Sequence, residues 1–213
     1  MFESSTVRRV GSFAYLDEAD AEPTLARTGL YLVAAAIIET DHLAHCEALL
    51  RTLVREEDVD SKGHRRLHLS RIKDRHRKHE LAALLASLRG TRFAVGWTSG
   101  YADPKSRERI RAKILWEFLP HLAAKEEAGG ILLEQREDAK LRAADARTIG
   151  RLRDGGFLDL ALPVDQAPAS TAPGLWMADA AAAAWRRDLV EGKDNWSRWY
   201  APHTNVIEVA SRS

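Results

Sequence analysis

The chain predicts an α/β fold: a mixed five-stranded sheet with helices on both faces and a helical insert between strands two and three. Three observations carry this. Residues 30–38 (LYLVAAAII) form an unbroken apolar run of strand length, as expected of a central strand covered on both sides. From residue 92 onward strand-like and helix-like segments alternate, and β-α-β units require parallel crossovers. Near the end, PGLWMADAAAAAW is a helix of small side chains that can lie close against a sheet.

The elements follow in order. Residues 12–18 predict strand one, with Phe13, Tyr15 and Asp17 on one face. Acids and Pro23 make 19–28 a loop, and 30–38 is strand two. Asp41 caps a helix to about residue 54, with Leu43, Cys46, Leu50 and Leu53 near helical spacing. A basic segment follows, in which 67–69 is a short extended piece. Ser70 or Asp74 opens a helix to about residue 88, and Gly90 stops it. Phe93, Val95 and Trp97 alternate in strand three, 92–98. A long helix spans about 105–127, kinked or split at Pro120. Gly129-Gly130 ends it before a short buried strand, 131–134. A helix over about 138–153 stops at Gly155-Gly156, and 157–162 is strand five. A loop, 163–172, leads into the last helix, 174–190, opened by Ser170, Thr171 and Pro173. Residues 205–210 are a candidate edge strand. No repeat or flexible linker divides the chain. One domain is expected over 1–190, its insert at about 41–89, with a tail, 191–213, packed on it.

Composition narrows the class. With 213 residues and 45% hydrophobic content, a sizeable core is available, and the 30% charged fraction fits a soluble protein. The longest apolar run is too short to span a bilayer, and the opening residues lack a secretory leader. A lone cysteine, Cys46, excludes an internal disulfide and suits a reducing compartment, so a cytoplasmic protein is expected. Between Lys62 and Lys78 eight cations face one acid, Asp74. That segment carries +7, which against a total of +1 leaves −6 for the rest. The block is either a solvated face or a phosphate-contact patch.

The acids at the ends of apolar elements carry the chemistry. Strand one runs into Asp17, Glu18, Asp20 and Glu22, strand four ends at Glu134, and Asp179 sits in the alanine helix. Asp17 buried without a partner would be costly, so its charge is either solvated or met by something positive. Three converging carboxylates would raise one another's pKa, a cost that a hard divalent cation removes. Two such ions can clamp the attacking and leaving oxygens of a phosphodiester.

The segments AYLDEAD, GLYLVAAAII, RRLHLS, GGILLEQRED and APGLWMADAAAAA resemble a prokaryotic and phage family known as domain of unknown function 3800. Its members open with a D-E-S-type strand end and close with a G-L-Q-x-A-D helix. The similarity covers roughly residues 13–187, and only the first and last motifs are distinctive. The family is similar to the RNase H-like superfamily, where acids on the first strand, a later strand and the last helix bind catalytic metal. The resemblance implies Asp17, Glu134 and Asp179 as catalytic metal ligands for Mg²⁺ or Mn²⁺. Ala19 stands where Ser is usual, Trp176 where Gln is common, and the insert departs from a plain RNase H hairpin.

Other constellations are weaker. His42, His45 and Cys46, or His64 and His68, have zinc-like spacing, but no C-x-x-C or H-E-x-x-H motif accompanies them. His68 is either a structural hydrogen-bonder or a general acid near the metal. No Ser-His-Asp arrangement, phosphate loop or dinucleotide fingerprint is legible. Trp196, Trp199 and Tyr200 either stack on bases or pack over the sheet edge, and packing is the simpler expectation.

Two functions are therefore carried forward. One is a metal-dependent nuclease or related phosphodiester hydrolase. In it Glu18, His68 and Asp138 would support the ligands from behind, and Arg65, Arg66, Arg71 and Lys73 would bind nucleic acid. The other is a non-catalytic module of the same fold that binds nucleic acid or a protein partner, including another copy of itself.

Overall fold

The structure, a computed structural model, describes residues 11–24, 29–59, 63–101, 103, 106–192 and 196–210. Strand β1 (Ser12–Ala21) lies in the interior of the sheet. It pairs antiparallel with β2 (Gly29–Glu39), which pairs antiparallel with β3 (Thr91–Tyr101). On its other side β1 runs parallel to β4 (Ala128–Glu134), and β4 to β5 (Val164–Ala167). A sixth strand, β6 (Thr204–Glu208), runs parallel to β3. The order is β5-β4-β1-β2-β3-β6.

Strand alternation splits the core into two layers. On β1, Tyr15 faces helices α1 (Thr40–Leu53), α2 (Arg75–Ala86) and α5 (Gly174–Glu191). Ala14 and Leu16 face α3 (Arg107–Ala124) and α4 (Ala139–Asp154). β2 is buried on both faces up to Ile38, as its unbroken apolar run requires. The alanine helix lies as close as expected. A Cβ on Gly174 would meet the Tyr15 ring at 2.5 Å, and Ala178, Ala180, Ala181, Ala182 and Ala184 are all buried.

The structure corrects the expected sheet in three places. Its first strand runs on to Ala21, with Ala19, Asp20 and Ala21 paired to Leu32, Tyr31 and Leu30 where a loop was expected, so Asp17 lies inside the strand and not at its end. The sheet has six strands, because the tail contributes β6 after a short helix, α6 (Ser197–Tyr200). The fifth strand is displaced to Val164–Ala167, where a loop was expected. Residues 157–162 form turns instead: Phe157 is 57% and Leu160 77% exposed, while Leu158 plugs the core and Leu162 packs against it. A four-residue strand reading V-D-Q-A between prolines has no apolar alternation to announce it. Asp74, and not Ser70, opens α2 by accepting the amides of His76 and Arg77 at 2.9 and 3.3 Å. Pro120 sits inside α3 without ending it. Tyr200 packs edge-on against Phe93 of β3 at 4.9 Å, so this tail aromatic belongs to the core. Lys62 of the basic block, Lys105 of the expected third helix and residues 25–28 of the expected first loop lie outside the described residues. Among the described residues no helix is long and apolar enough to cross a membrane.

One topological feature places the site. The chain leaves β1 toward β2 on one side, and leaves β4 toward β5 on the other. In open α/β sheets the crevice beyond the carboxyl ends of such diverging parallel strands is where ligands bind.

Candidate active site

Asp17 and Glu134 occupy that crevice. In the β1–β4 pairing Leu16 stands beside Leu133, so Asp17 and Glu134 follow as the next pair of positions. Asp17 alternates with Tyr15 and Glu134 with Leu132, both of which pack toward α5. The two carboxyl side chains are hydrogen-bonded to each other. They help line a cavity of about 340 Å³.

Asp179 reaches the same place from α5. One turn earlier, buried Trp176 is pinned by its Nε1–H, which donates to the Ala169 carbonyl at 2.7 Å. Asp179 is 18% exposed and accepts from His68 Nδ1 at 2.8 Å. Asp179 lies near enough for its charge to act on Asp17.

Asp17 as a residue keeps some exposed surface, yet its carboxyl is crowded by protein. Burial pushes that carboxyl well above the usual carboxylate range, and the Glu134 charge and hydrogen bond and the Asp179 charge push it further. Arg66 opposes the shift. Burial and two neighbouring negative charges disfavour ionisation of Asp17. The backbone N–H of Glu18 donates to Asp17 Oδ1 at 2.7 Å.

The insert supplies the positive partners. Arg66 Nη1 pairs with Glu134 Oε1 at 3.2 Å, and His68 holds Asp179. These acids are therefore not simply solvated. Among the described residues no group of three or more His, Cys, Asp or Glu is arranged to hold a metal ion. The donor chemistry nevertheless fits one. Asp17, Glu134 and the nearby Asp179 are the oxygen donors that Mg²⁺ or Mn²⁺ prefers.

The supporting residues divide. His68 is at the site, and its Nε2 meets the Ser70 hydroxyl at 3.1 Å. Glu18 was expected to orient ligands, but it points to the opposite face of the sheet. There it contacts Arg111 and lies 3.8 Å from Arg136, so only its backbone amide serves Asp17. Asp138 caps α4 through the Lys140 amide at 2.6 Å and lines the same cavity as Asp17 and Glu134. Arg65, Arg71 and Lys73 are exposed. Arg71 and Lys73 share a second cavity, about 230 Å³, with Arg66 and His68. Arg77 leaves the basic block for a structural role: it is buried and forks onto Asp58. Cys46 is a core thiol that burial pushes up, and His42 and His76 sit in pairs with Glu39 and Glu80.

Sequence reasoning missed the buried network behind the site. Arg111 makes two 2.9 Å bonds to Asp145 and a third, 3.3 Å, to the Tyr31 hydroxyl. A signal existed, since Arg111 falls in register with Leu115, Phe118 and Leu122 on the buried face of α3.

No protein-family model matches the chain, and no curated protein matches it either.

Proposed function

We propose that this protein is a metal-dependent phosphodiester hydrolase, a nuclease of RNase H-like fold. The resemblance to domain of unknown function 3800 supports that fold and an intracellular, cytoplasmic setting. One observation carries the reading. Asp17 of the first strand is crowded by protein and feels the charges of Glu134 from the fourth strand and Asp179 from the last long helix, which push its carboxyl well above the usual carboxylate range.

Asp17, Glu134 and Asp179 would hold Mg²⁺ or Mn²⁺, which when bound supplies charge stabilisation on the phosphodiester and activates water. The chain's own residues do the rest. Asp17, whose ionisation is disfavoured in the metal-free site, would bind the cation as a carboxylate after losing any proton to solvent, and the Glu18 amide holds its Oδ1 in place. Arg66 releases Glu134 toward the site and stays beside it as a cation for phosphate. His68, its tautomer fixed by Asp179, presents Nε2 toward Ser70 and the basic cavity. Arg65, Arg71 and Lys73 bring the polyanion to an otherwise acidic centre.

A second reading has its own support. Glu134 and Asp179 already have partners, an ion pair with Arg66 and a hydrogen bond with His68, as a non-catalytic module that binds nucleic acid or a protein would allow. A cleavage screen separates the two. Single- and double-stranded DNA and RNA are incubated with Mg²⁺ or Mn²⁺, with and without chelator. Metal-dependent cleavage supports the hydrolase. Binding without cleavage in any metal supports the module.

A further inference from the structure

The face built by α2, the end of α5 and α6 carries a cation–aromatic cluster beside the candidate active site. His79 of α2 meets Trp196 and Trp199 edge-on, at centroid distances of 5.9 and 5.6 Å. Lys78 stands over the Trp196 ring at 5.7 Å and Arg187 at 4.8 Å. Arg198 stands over Trp199 at 5.0 Å. Arg75 lies one turn before His79 on the same helix.

Trp196 is buried under these cations and packs into the core, whereas Trp199 keeps part of its surface in solvent. Among the described residues, Arg75, Lys78 and Arg198 form no ion pair, and Arg187 shares its charge with Glu191 at 3.7 Å. The positive field is strong enough to act on its own members. Burial first, then Arg75, Arg198 and Arg187, holds His79 below its ordinary value, and burial and Arg187 hold Lys78 down. Four cations gathered on one face, only one of them paired with an acid, attract an anion.

The cluster is joined to the carboxylates. Lys78 Nζ lies 3.5 Å from the Ser70 carbonyl. The Ser70 hydroxyl is on His68, and His68 is on Asp179. Exposed Arg71 and Lys73 flank that turn.

We infer that this face is a track for single-stranded nucleic acid. The backbone lies on Arg75, Lys78, Arg187 and Arg198, and an unpaired base stacks on Trp199 as the strand leads toward Asp179. The inference rests on the phosphodiester reading and names its substrate class. A strand is preferred over a duplex because only an unpaired base offers its face to an aromatic ring, while the cations alone would accept either.

The test is fluorescence anisotropy with labelled 12-nucleotide single strands and the matching duplex, in chelator so that nothing is cut. Wild type should bind the single strand more tightly than the duplex. Trp199→Ala should weaken single-strand binding by about 5- to 150-fold, the contribution of one stacked base, and leave duplex binding unchanged. The variant Arg75→Gln/Lys78→Gln/Arg198→Gln changes surface groups, so it keeps the test valid if Trp199→Ala misfolds. It should flatten the salt dependence by about 0.7 in log–log slope per lost contact. Equal affinity for duplex and strand overturns the single-strand assignment. An unchanged salt slope in the triple variant, or no binding by wild type, overturns the track. Mn²⁺-dependent hydrolysis of bis(p-nitrophenyl) phosphate by wild type tests the hydrolase reading separately, since that substrate needs no track.

Discussion

Removing Asp145 should expose how much the network behind the site contributes. In Asp145→Ala, the Arg111 guanidinium loses both 2.9 Å bonds at a place where each side chain is only 4% exposed. Breaking one side of a buried ion pair costs roughly 3–5 kcal/mol, because the remaining charge is left uncompensated. Glu18 and Tyr31 still touch Arg111, which argues for the lower end, about 3 kcal/mol. At roughly 2–4 °C per kcal/mol for a chain of this size, the melting temperature should fall by about 6–12 °C. The control is Arg51→Ala, which removes a pair to Glu47 whose arginine is 55% exposed. That pair should contribute no more than about 0.5 kcal/mol. The double variant Asp145→Leu/Arg111→Met should recover much of the loss, since the two buried charges go together and Glu18 keeps Arg136 at 3.8 Å. Urea and thermal melts measure all of these. If Asp145→Ala melts within about 1 kcal/mol of wild type, or no lower than Arg51→Ala, the network does not bear the stability assigned to it.

Four further outcomes follow from the same geometry. Asp17 has a raised folded-state pKa, so the metal-free protein should lose stability as pH climbs above the ordinary carboxylate value of about 4; Asp17→Asn should remove that slope in chelator and melt higher at neutral pH. Asp179→Asn should abolish most metal-dependent cleavage while keeping the fold, and retention of full activity would remove Asp179 from the ligand set. Replacing exposed Arg65, Arg71 and Lys73 with Ala should flatten the salt dependence of nucleic-acid binding by about 0.7–0.9 in slope per lost contact, measured by anisotropy across a salt series. Gly174→Ala should destabilise by about 1–3 kcal/mol in a urea melt, because its Cβ meets the Tyr15 ring at 2.5 Å.

Long-range pattern was readable and local charge compensation was not. The apolar run of β2 and the alternation of β3 announced themselves through period and length. β5 did not, since four residues with two polar side chains carry no period. The carboxylate trio was legible because each acid interrupts an apolar element. The direction of Glu18 followed from alternation with Asp17, yet its neighbour's role drew attention from that rule. Arg66 and His68 could be placed only in space: they are 68 and 111 residues from Glu134 and Asp179, and nothing local marks those pairings. Arg111 and Asp145 were legible in principle, as charged residues in register with buried ones on α3 and α4.

The alanine face of α5 has a consequence for the precision of the site. An alanine loses no rotamer freedom when buried, so the seam between α5 and the sheet forms at little side-chain entropy cost. It also has no rotamers with which to adjust. The height of α5 above β1 is then set by main-chain contact, through Gly174 against Tyr15 and the buried alanines beyond it. Asp179 inherits its position from that contact, and a single added methylene along the seam would be read out as a change in its separation from Asp17.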